Sequence, residues 1–217
     1  MVWKWQLWLS PRPLHRTNIA SKSSFVTAQN AALYEFLDEG QGRWGVRETH
    51  NRENPLVRAG LSGPPLHIHL LQDESFQVEQ GVLGVITNGK KHRLSKADGV
   101  FVIPAGVRHR FWCHESSTES LIFHGVIDPQ DKQSILDKNY LRHIQGYIAD
   151  CDRVGLKPSI FQIILFSYHA STLLSPPFFV PLWSLLAVHY VLANWIAQGL
   201  LGYKHIYPEY TEKTRGD

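Results

Sequence analysis

Between about Leu14 and Asp128, the hydrophobic residues come in short runs separated by glycine, proline and asparagine. Short apolar runs bounded by turn residues predict β-strands. We predict strands at 44–49, 82–87, 100–103 and 121–127. The last two runs are almost continuously apolar, so we expect both faces of those strands to be covered. Asn88-Gly89 predicts a two-residue hairpin turn, because both residues tolerate positive φ.

After residue 128 the hydrophobic period changes from that of a strand to that of a helix. Asp128 suits the N-cap and Pro129 the first helical position. Gly155 is a typical residue just beyond a helix end. The pattern therefore predicts a helix over about 128–154. Its apolar stripe repeats at steps of three and four residues and consists of Tyr140, Leu141, Ile144, Tyr147, Ile148 and Cys151.

The segment 158–203 contains no Lys, Arg, Asp or Glu, and its prolines divide it into predicted helices at 158–174 and 182–201. Two interpretations stay open. One is a membrane-embedded hairpin, because about 20 apolar residues can span a bilayer. The other is a helical cap buried against the barrel or a partner subunit. Ser184, Asn194 and Gln198 favour the cap slightly, since lipid-facing polar groups need partners.

Composition indicates a globular protein with one core and room for an appendage. The chain has 217 residues, of which 43% are hydrophobic and 19% charged, with a net charge of +3. The basic run at 90–93 follows the hairpin turn, which favours a solvated loop over a nucleic-acid surface. We therefore expect no nucleic-acid partner. Two cysteines cannot form a disulfide framework, which fits a reducing compartment.

The first ten residues are rich in tryptophan. Lys4 and Gln6 interrupt the apolar run and Pro11 follows it, so it does not match a signal peptide. These tryptophans could lie at a membrane surface, but we favour packing on the flank of the protein itself.

Four residues carry candidate metal chemistry: His67, His69, Glu74 and His109. Alternation places His67 and His69 on the same face of a strand, about 7 Å apart along the chain. Glu74 follows a short turn, and His109 follows the tight turn at 104–106. Three imidazoles and one carboxylate leave coordination positions open on a six-coordinate ion, as a catalytic site requires.

These residues resemble the two motifs of the cupin superfamily. The first motif corresponds to His67-Ile68-His69, Glu74 and Gly81, and the second to Pro104-Ala105-Gly106 and His109. The order of Asp98-Gly99 is reversed relative to the usual motif, and Cys113 replaces its terminal Asn. Cys113 shares a strand face with His109, so it could be an extra ligand or nucleophile, although a small buried hydrophobe is the simpler interpretation.

The resemblance implies a mainly β protein, a cupin jelly-roll barrel with an appended C-terminal helical region. We predict an N-terminal arm at 1–31, the barrel at 32–128 and a helical extension at 129–217. The barrel would hold one divalent transition metal (Fe, Mn, Ni, Cu or Zn), bound by His67, His69, Glu74 and His109. The predicted substrate pocket consists of Phe76, Phe101, Phe111 and Cys113.

Three classes of function fit such a site. We favour a dioxygenase-like oxidoreductase that acts on a small apolar or aromatic metabolite, with Glu74 as the catalytic base, in a natural-product pathway. The alternatives are a redox-neutral isomerase, cyclase, dehydratase or decarboxylase, and a non-catalytic metal- or ligand-binding cupin. We expect a homodimer that is intracellular, either cytoplasmic or associated with a membrane through 158–203.

Overall fold

The computed structural model describes residues 3–130 and 136–212. By its internal contacts, the chain divides into a barrel unit, Ser23–Ser134, and a helical unit made of Met1–Lys22 and Ile135–Asp217. The two chain ends therefore belong to one unit, and the candidate metal residues all belong to the other.

The described part of the barrel unit contains ten strands, which are joined by backbone hydrogen bonds to their neighbours. They are β1 (Ser24–Val26), β2 (Ala32–Gly40), β3 (Arg43–His50), β4 (His67–His69), β5 (Asp73–Gln80), β6 (Leu83–Thr87), β7 (Lys90–Leu94), β8 (Val100–Ile103), β9 (His109–Cys113) and β10 (Leu121–Asp128). A short helix, α1 (Lys4–Leu9), precedes them in the helical unit, and α2 (Pro55–Arg58) lies between β3 and β4.

The barrel strands form two antiparallel sheets. One has the order β1-β2-β3-β10-β5-β8, and the other contains β4-β9-β6-β7. Their inner faces share one hydrophobic core, in which Phe76, Val78 and Phe123 of the first sheet pack with Leu83 and Phe111 of the second. Two facing antiparallel sheets of this kind form a jelly roll, so the predicted fold class is confirmed.

All four predicted strands are present, and Asn88 and Gly89 form the predicted turn with φ values of 47° and 83°. Two details differ from the prediction. The basic run is strand β7 and not a loop, although Lys90, Lys91 and Arg93 are exposed. The outer face of β8 is also uncovered, since Val100 and Val102 are 60% and 53% exposed at the edge of the sheet.

The helical unit contains α3 (Lys138–Arg153), α4 (Ile160–His169), β11 (Thr172–Leu174) and α5 (Leu182–Tyr190), which continues into the π-helical segment Val191–Leu200. The predicted helix start at Asp128 is wrong, because Asp128 is the last residue of β10 and pairs with Asp73. The N-cap is instead Asp137, whose carboxylate accepts the backbone N–H of Tyr140 at 2.9 Å.

The N-terminal segment is fixed to the helical unit by polar side chains and not by its tryptophans. Gln6 donates to the carbonyl of Leu200 at 2.9 Å, and Arg12 donates to that of Leu201 at 2.8 Å. By contrast, Trp3 and Trp8 are 60% and 81% exposed, so the expected packing of the tryptophan side chains is wrong.

Localisation through a membrane-embedded hairpin at residues 158–203 is also a wrong prediction. The apolar stretch is divided, because α4 has 10 residues and ends before β11. Across the two described ranges, no helix is long and apolar enough to cross a membrane. Within the unit, α4 packs on the π-helical segment, where Leu165, Ala193 and Ala197 are fully buried.

Candidate metal centre

The candidate metal residues come from three strands that meet inside the barrel. His67 and His69 are the ends of β4, and His67 pairs with His109 at the start of β9. Glu74 lies near the start of β5, on the same face as Phe76 and Val78. His67, His69 and His109 are 1–5% exposed, and 12% of the Glu74 side chain is exposed.

The four side chains turn their donor atoms toward one point. One ligand atom from each lies within 4.8 Å of all the others. The Nε2 atoms of His67 and His69 are 3.2 Å apart, and Glu74 Oε2 is 2.9 Å from His109 Nε2 and 3.7 Å from His69 Nε2. Donors that bind one ion at about 2.1 Å and at right angles would be about 3.0 Å apart, so this spacing suits a single ion.

Backbone carbonyls fix the orientation of two of the imidazoles. His67 Nδ1 donates to the carbonyl of Pro65, and His109 Nδ1 donates to that of Val107, both at 2.9 Å. A proton on Nδ1 leaves the Nε2 lone pair available, which is the usual arrangement of a metal-binding histidine.

The centre also shows unsatisfied polar atoms that a cation would satisfy. Glu74 Oε2 and His109 Nε2 are buried, and within the described part of the chain neither makes a hydrogen bond of good geometry. The two atoms are 2.9 Å apart; burial alone would lower the pKa of His109, but the interaction with Glu74 outweighs it and raises that pKa above 6.5. Buried polar groups without partners are uncommon, so these two fit the binding of an ion.

Burial and neighbouring charges set the protonation of the ligands. Burial lowers the pKa of His67 well below 6.5, and positive charge on His69 or His109 lowers it further. Burial alone would raise the pKa of Glu74, but His109 and His69 outweigh it and lower that pKa below its usual value. The carboxylate of Glu74 is consequently ionised, and His67 is neutral, which are the forms that bind metals.

The residues predicted to line a pocket lie next to each other on the inner faces of the sheets. Phe76 and Phe111 are in ring contact with centroids 4.9 Å apart, and Phe101 is partly buried against the same core. Cys113 is buried beside them, and burial raises the pKa of its thiol. A thiol with a raised pKa is a poor nucleophile at neutral pH, so a packing role suits Cys113 better. Their contact with a substrate stays a prediction.

The sequence did not lead us to predict a second cluster of polar side chains inside the barrel. Glu48 and His50 lie on the buried face of β3, and His50 contacts Ser62 from the loop before β4. The alternation of Trp44, Val46, Glu48 and His50 could have placed the two ionisable side chains on the inner face. The contact with Ser62 depends on how that loop folds back, which alternation does not show.

The strand order and the His-His-Glu-His cluster define a cupin, as the sequence resemblance implied. Solved structures with a similar fold include KdgF from Halomonas sp., which is 22% identical and matches 48% of this chain and 84% of its own at a TM-score of 0.35. A cupin-like protein from Thermotoga maritima is 18% identical and matches 54% and 80% of the two chains, also at 0.35. We base the cupin assignment on the topology and the cluster, since these TM-scores are low.

Comparison with curated proteins shows the family. Oxidoreductase iacF of Pestalotiopsis fici is 58% identical over 205 residues, covering 93% of this chain and 100% of that protein. Probable oxidoreductase virH of Hypocrea virens is 53% identical over 210 residues, covering 97% and 95%. Epoxidase atD of Aspergillus terreus is 32% identical over 198 residues, covering 82% and 59%. No family model matches the chain.

The chain therefore belongs to this family of fungal oxidoreductases, and it is an enzyme. Such relatives imply a small-molecule substrate. The predicted homodimer stays a prediction.

Proposed function

We propose that the protein is a metal-dependent, dioxygenase-like cupin oxidoreductase that acts on a small apolar or aromatic metabolite, as a tailoring enzyme of a natural-product pathway. The observation that carries the proposal is the convergence of His67, His69, Glu74 and His109 within 4.8 Å in a protein whose relatives are named oxidoreductases. We assign these four residues as the metal ligands.

The types of the four ligands limit which metals can bind and which reactions those metals can support. Imidazoles with one carboxylate suit Fe, Mn, Ni, Cu or Zn, and the first four support oxygen chemistry. When bound, such an ion would supply Lewis acidity and open coordination positions for the substrate and O₂. The name of the relative epoxidase atD supports an oxidation over a redox-neutral reaction.

The side chains of the protein would bind the substrate and move its proton. Phe76, Phe101 and Phe111 offer apolar and aromatic surface for a ring or chain and would exclude water from it. Glu74 is ionised, so its Oε2 would accept the proton of a substrate hydroxyl that the bound ion would make more acidic. His109, whose Nε2 lies 2.9 Å from Glu74 Oε2, would hold the carboxylate in place.

The test uses protein loaded separately with Fe(II), Mn(II), Ni(II) and Cu(II), together with a panel of phenolic and polyketide-like compounds. We expect oxygen uptake and incorporation of ¹⁸O from labelled O₂ with at least one metal. His67→Ala and His109→Ala should abolish both. His114→Ala is a matched control, because His114 lies outside the cluster and interacts with Ser116.

Two results would contradict parts of the proposal. Turnover at the same rate under nitrogen would indicate a redox-neutral isomerase, cyclase, dehydratase or decarboxylase. Turnover that survives both ligand substitutions would exclude the metal site as the place of the reaction.

A further inference from the structure

Three side chains form a hydrogen-bonded chain that the proposed function does not use. Ser62 Oγ is 2.7 Å from His50 Nδ1, and His50 Nε2 is 3.0 Å from Glu48 Oε2. His50 is fully buried and Glu48 is 4% exposed, whereas Ser62 is only half-buried. These three hydrogen-bonded side chains therefore lead from the half-buried Ser62 to the buried Glu48 in the barrel interior.

The inner end of these three side chains lies on the buried face of β3, where Glu48 pairs across with Phe123 of β10 in the barrel core. Burial raises the pKa of Glu48, hydrogen bonds from His50 and Tyr34 oppose that shift, and the negative charge of Glu74 raises it further. The groups that face Glu48 are therefore His50 on its own strand, Tyr34 on the neighbouring β2 and Glu74 on β5. His50 itself faces Ser62, Glu48 and the ring of Phe123, whose centroid is 5.7 Å away.

A purely structural role explains this arrangement poorly. Moving an ionisable pair out of water costs several kcal/mol per ion, and apolar side chains of similar volume often stabilise a core as well or better. Ionisable pairs that are kept inside a protein beside a reaction site are therefore candidates for function.

With a neutral imidazole, the two hydrogen bonds permit two proton arrangements. With Glu48 ionised, Ser62 donates to His50 Nδ1, and His50 Nε2–H donates to Glu48. With Glu48 protonated, Glu48 donates to Nε2, and Nδ1–H donates to Ser62 Oγ. The second arrangement holds one proton more. To reach it, a proton from solvent binds Ser62 Oγ, and the original hydroxyl proton of Ser62 passes to His50 Nδ1. The proton on His50 Nε2 then passes to Glu48, so charge and atoms balance.

We propose that Ser62, His50 and Glu48 form a proton relay between solvent and the barrel interior, with Glu48 as the acid–base group at its inner end. The relay rests on the proposed function, because it would exchange the protons that an oxidation beside Glu74 releases or consumes. Each of the three is a positioning residue for that reaction.

The test measures the position of the His50 proton directly, by ¹⁵N NMR of histidine-labelled protein, as purified and loaded with diamagnetic Zn(II). His50→Gln identifies the His50 signals. As the pH is lowered stepwise, we expect the ring to change from the Nε2–H to the Nδ1–H form at the point where Glu48 gains its proton. Glu48→Gln should keep the ring in one tautomer as the pH is lowered, because the amide does not titrate.

A second readout tests the outer end of the relay. Ser62→Ala should leave the tautomer change in place but slow exchange of the imidazole proton with solvent by about tenfold or more, equivalent to a barrier increase of about 1.4 kcal/mol. Ser117→Ala is the matched control, since Ser117 is a buried serine of the same unit that accepts from Val82 N–H and donates to the Glu119 carbonyl. It should change neither the tautomer nor the exchange rate.

Two outcomes would overturn the relay. One is a wild-type His50 ring that keeps a single tautomer as the pH is lowered, or that takes up a second ring proton instead of changing tautomer. The other is exchange in Ser62→Ala that is as fast as in wild type. Neither depends on oxygen uptake, so a failure of the proposed oxidation with an intact tautomer change would refute the proposed function alone.

Discussion

His143 makes the stability of the helical unit depend on pH. Its Nδ1 donates to the carbonyl of Asn139 at 2.7 Å, and its Nε2 accepts the backbone N–H of Tyr207 at 2.9 Å. Both bonds require the neutral imidazole. Burial accordingly lowers the pKa of His143 from 6.5 to about 4, and the nearby charges of His205 and Arg16 act in the same direction.

The direction and size of the effect follow from proton linkage. Between 6.5 and about 4, the unfolded chain binds a proton that the folded chain does not, so the free energy of unfolding falls as the pH falls. At about 1.4 kcal/mol per pKa unit, the full difference corresponds to about 3 kcal/mol. This contribution of His143 to the free energy of unfolding is fully present above the pKa of 6.5 in the unfolded chain. It is lost as the pH decreases toward the pKa of about 4 in the folded chain.

The assay is urea unfolding followed by far-ultraviolet circular dichroism, at about pH 7.5 and at about pH 4. The wild type should lose more stability on acidification than His143→Gln, and the difference between the two losses isolates His143 from the other titrating groups. Glutamine can still accept the Tyr207 N–H but does not titrate. Equal losses in the two proteins would refute the reasoning, because acid would then act elsewhere.

Three further predictions concern the barrel. Phe123→Ala should lower the free energy of unfolding in urea by about 3–5 kcal/mol, because Phe123 is fully buried and its loss leaves a cavity. Gly84→Ala should cost about 1–3 kcal/mol in the same assay, since a Cβ at Gly84 would lie 2.6 Å from the Trp112 ring; a neutral result would show that the indole moves freely. Co(II) affinity, measured by visible absorption, should fall as the pH falls, because protons compete for the imidazole of His109, whose pKa Glu74 raises against the effect of burial; a pH-independent affinity would contradict binding at this residue.

Much of the barrel could be predicted because the sequence signals for its strands and turns are local and periodic. His67 and His69 share a face through simple strand alternation, and Asn88-Gly89 fixes a turn by its backbone preference alone. The meeting of β4, β5 and β9 is a long-range property that alternation does not supply. The meeting of these three strands could be predicted only because the spacing of the ligands resembles that of a known family.

The errors arose where local signals were ambiguous. Asp128 and Asp137 are both plausible N-caps. Asp137 is the N-cap of α3, whereas pairing with Asp73 makes Asp128 the last residue of β10. Uncharged sequence likewise does not distinguish a membrane segment from short helices that pack on each other. The link from His50 to Ser62 was missed because it joins a strand to a loop whose path the sequence pattern does not determine.

The most direct test of the account is the metal content of the purified protein after loading with one metal at a time, measured by elemental analysis on wild type, His67→Ala, Glu74→Gln and His109→Ala. The account predicts one ion per wild-type chain, and a strong loss of bound metal in each of the three variants. A wild-type protein that binds no transition metal, or three variants that all retain a full equivalent, would contradict the assignment of His67, His69, Glu74 and His109 as the metal centre.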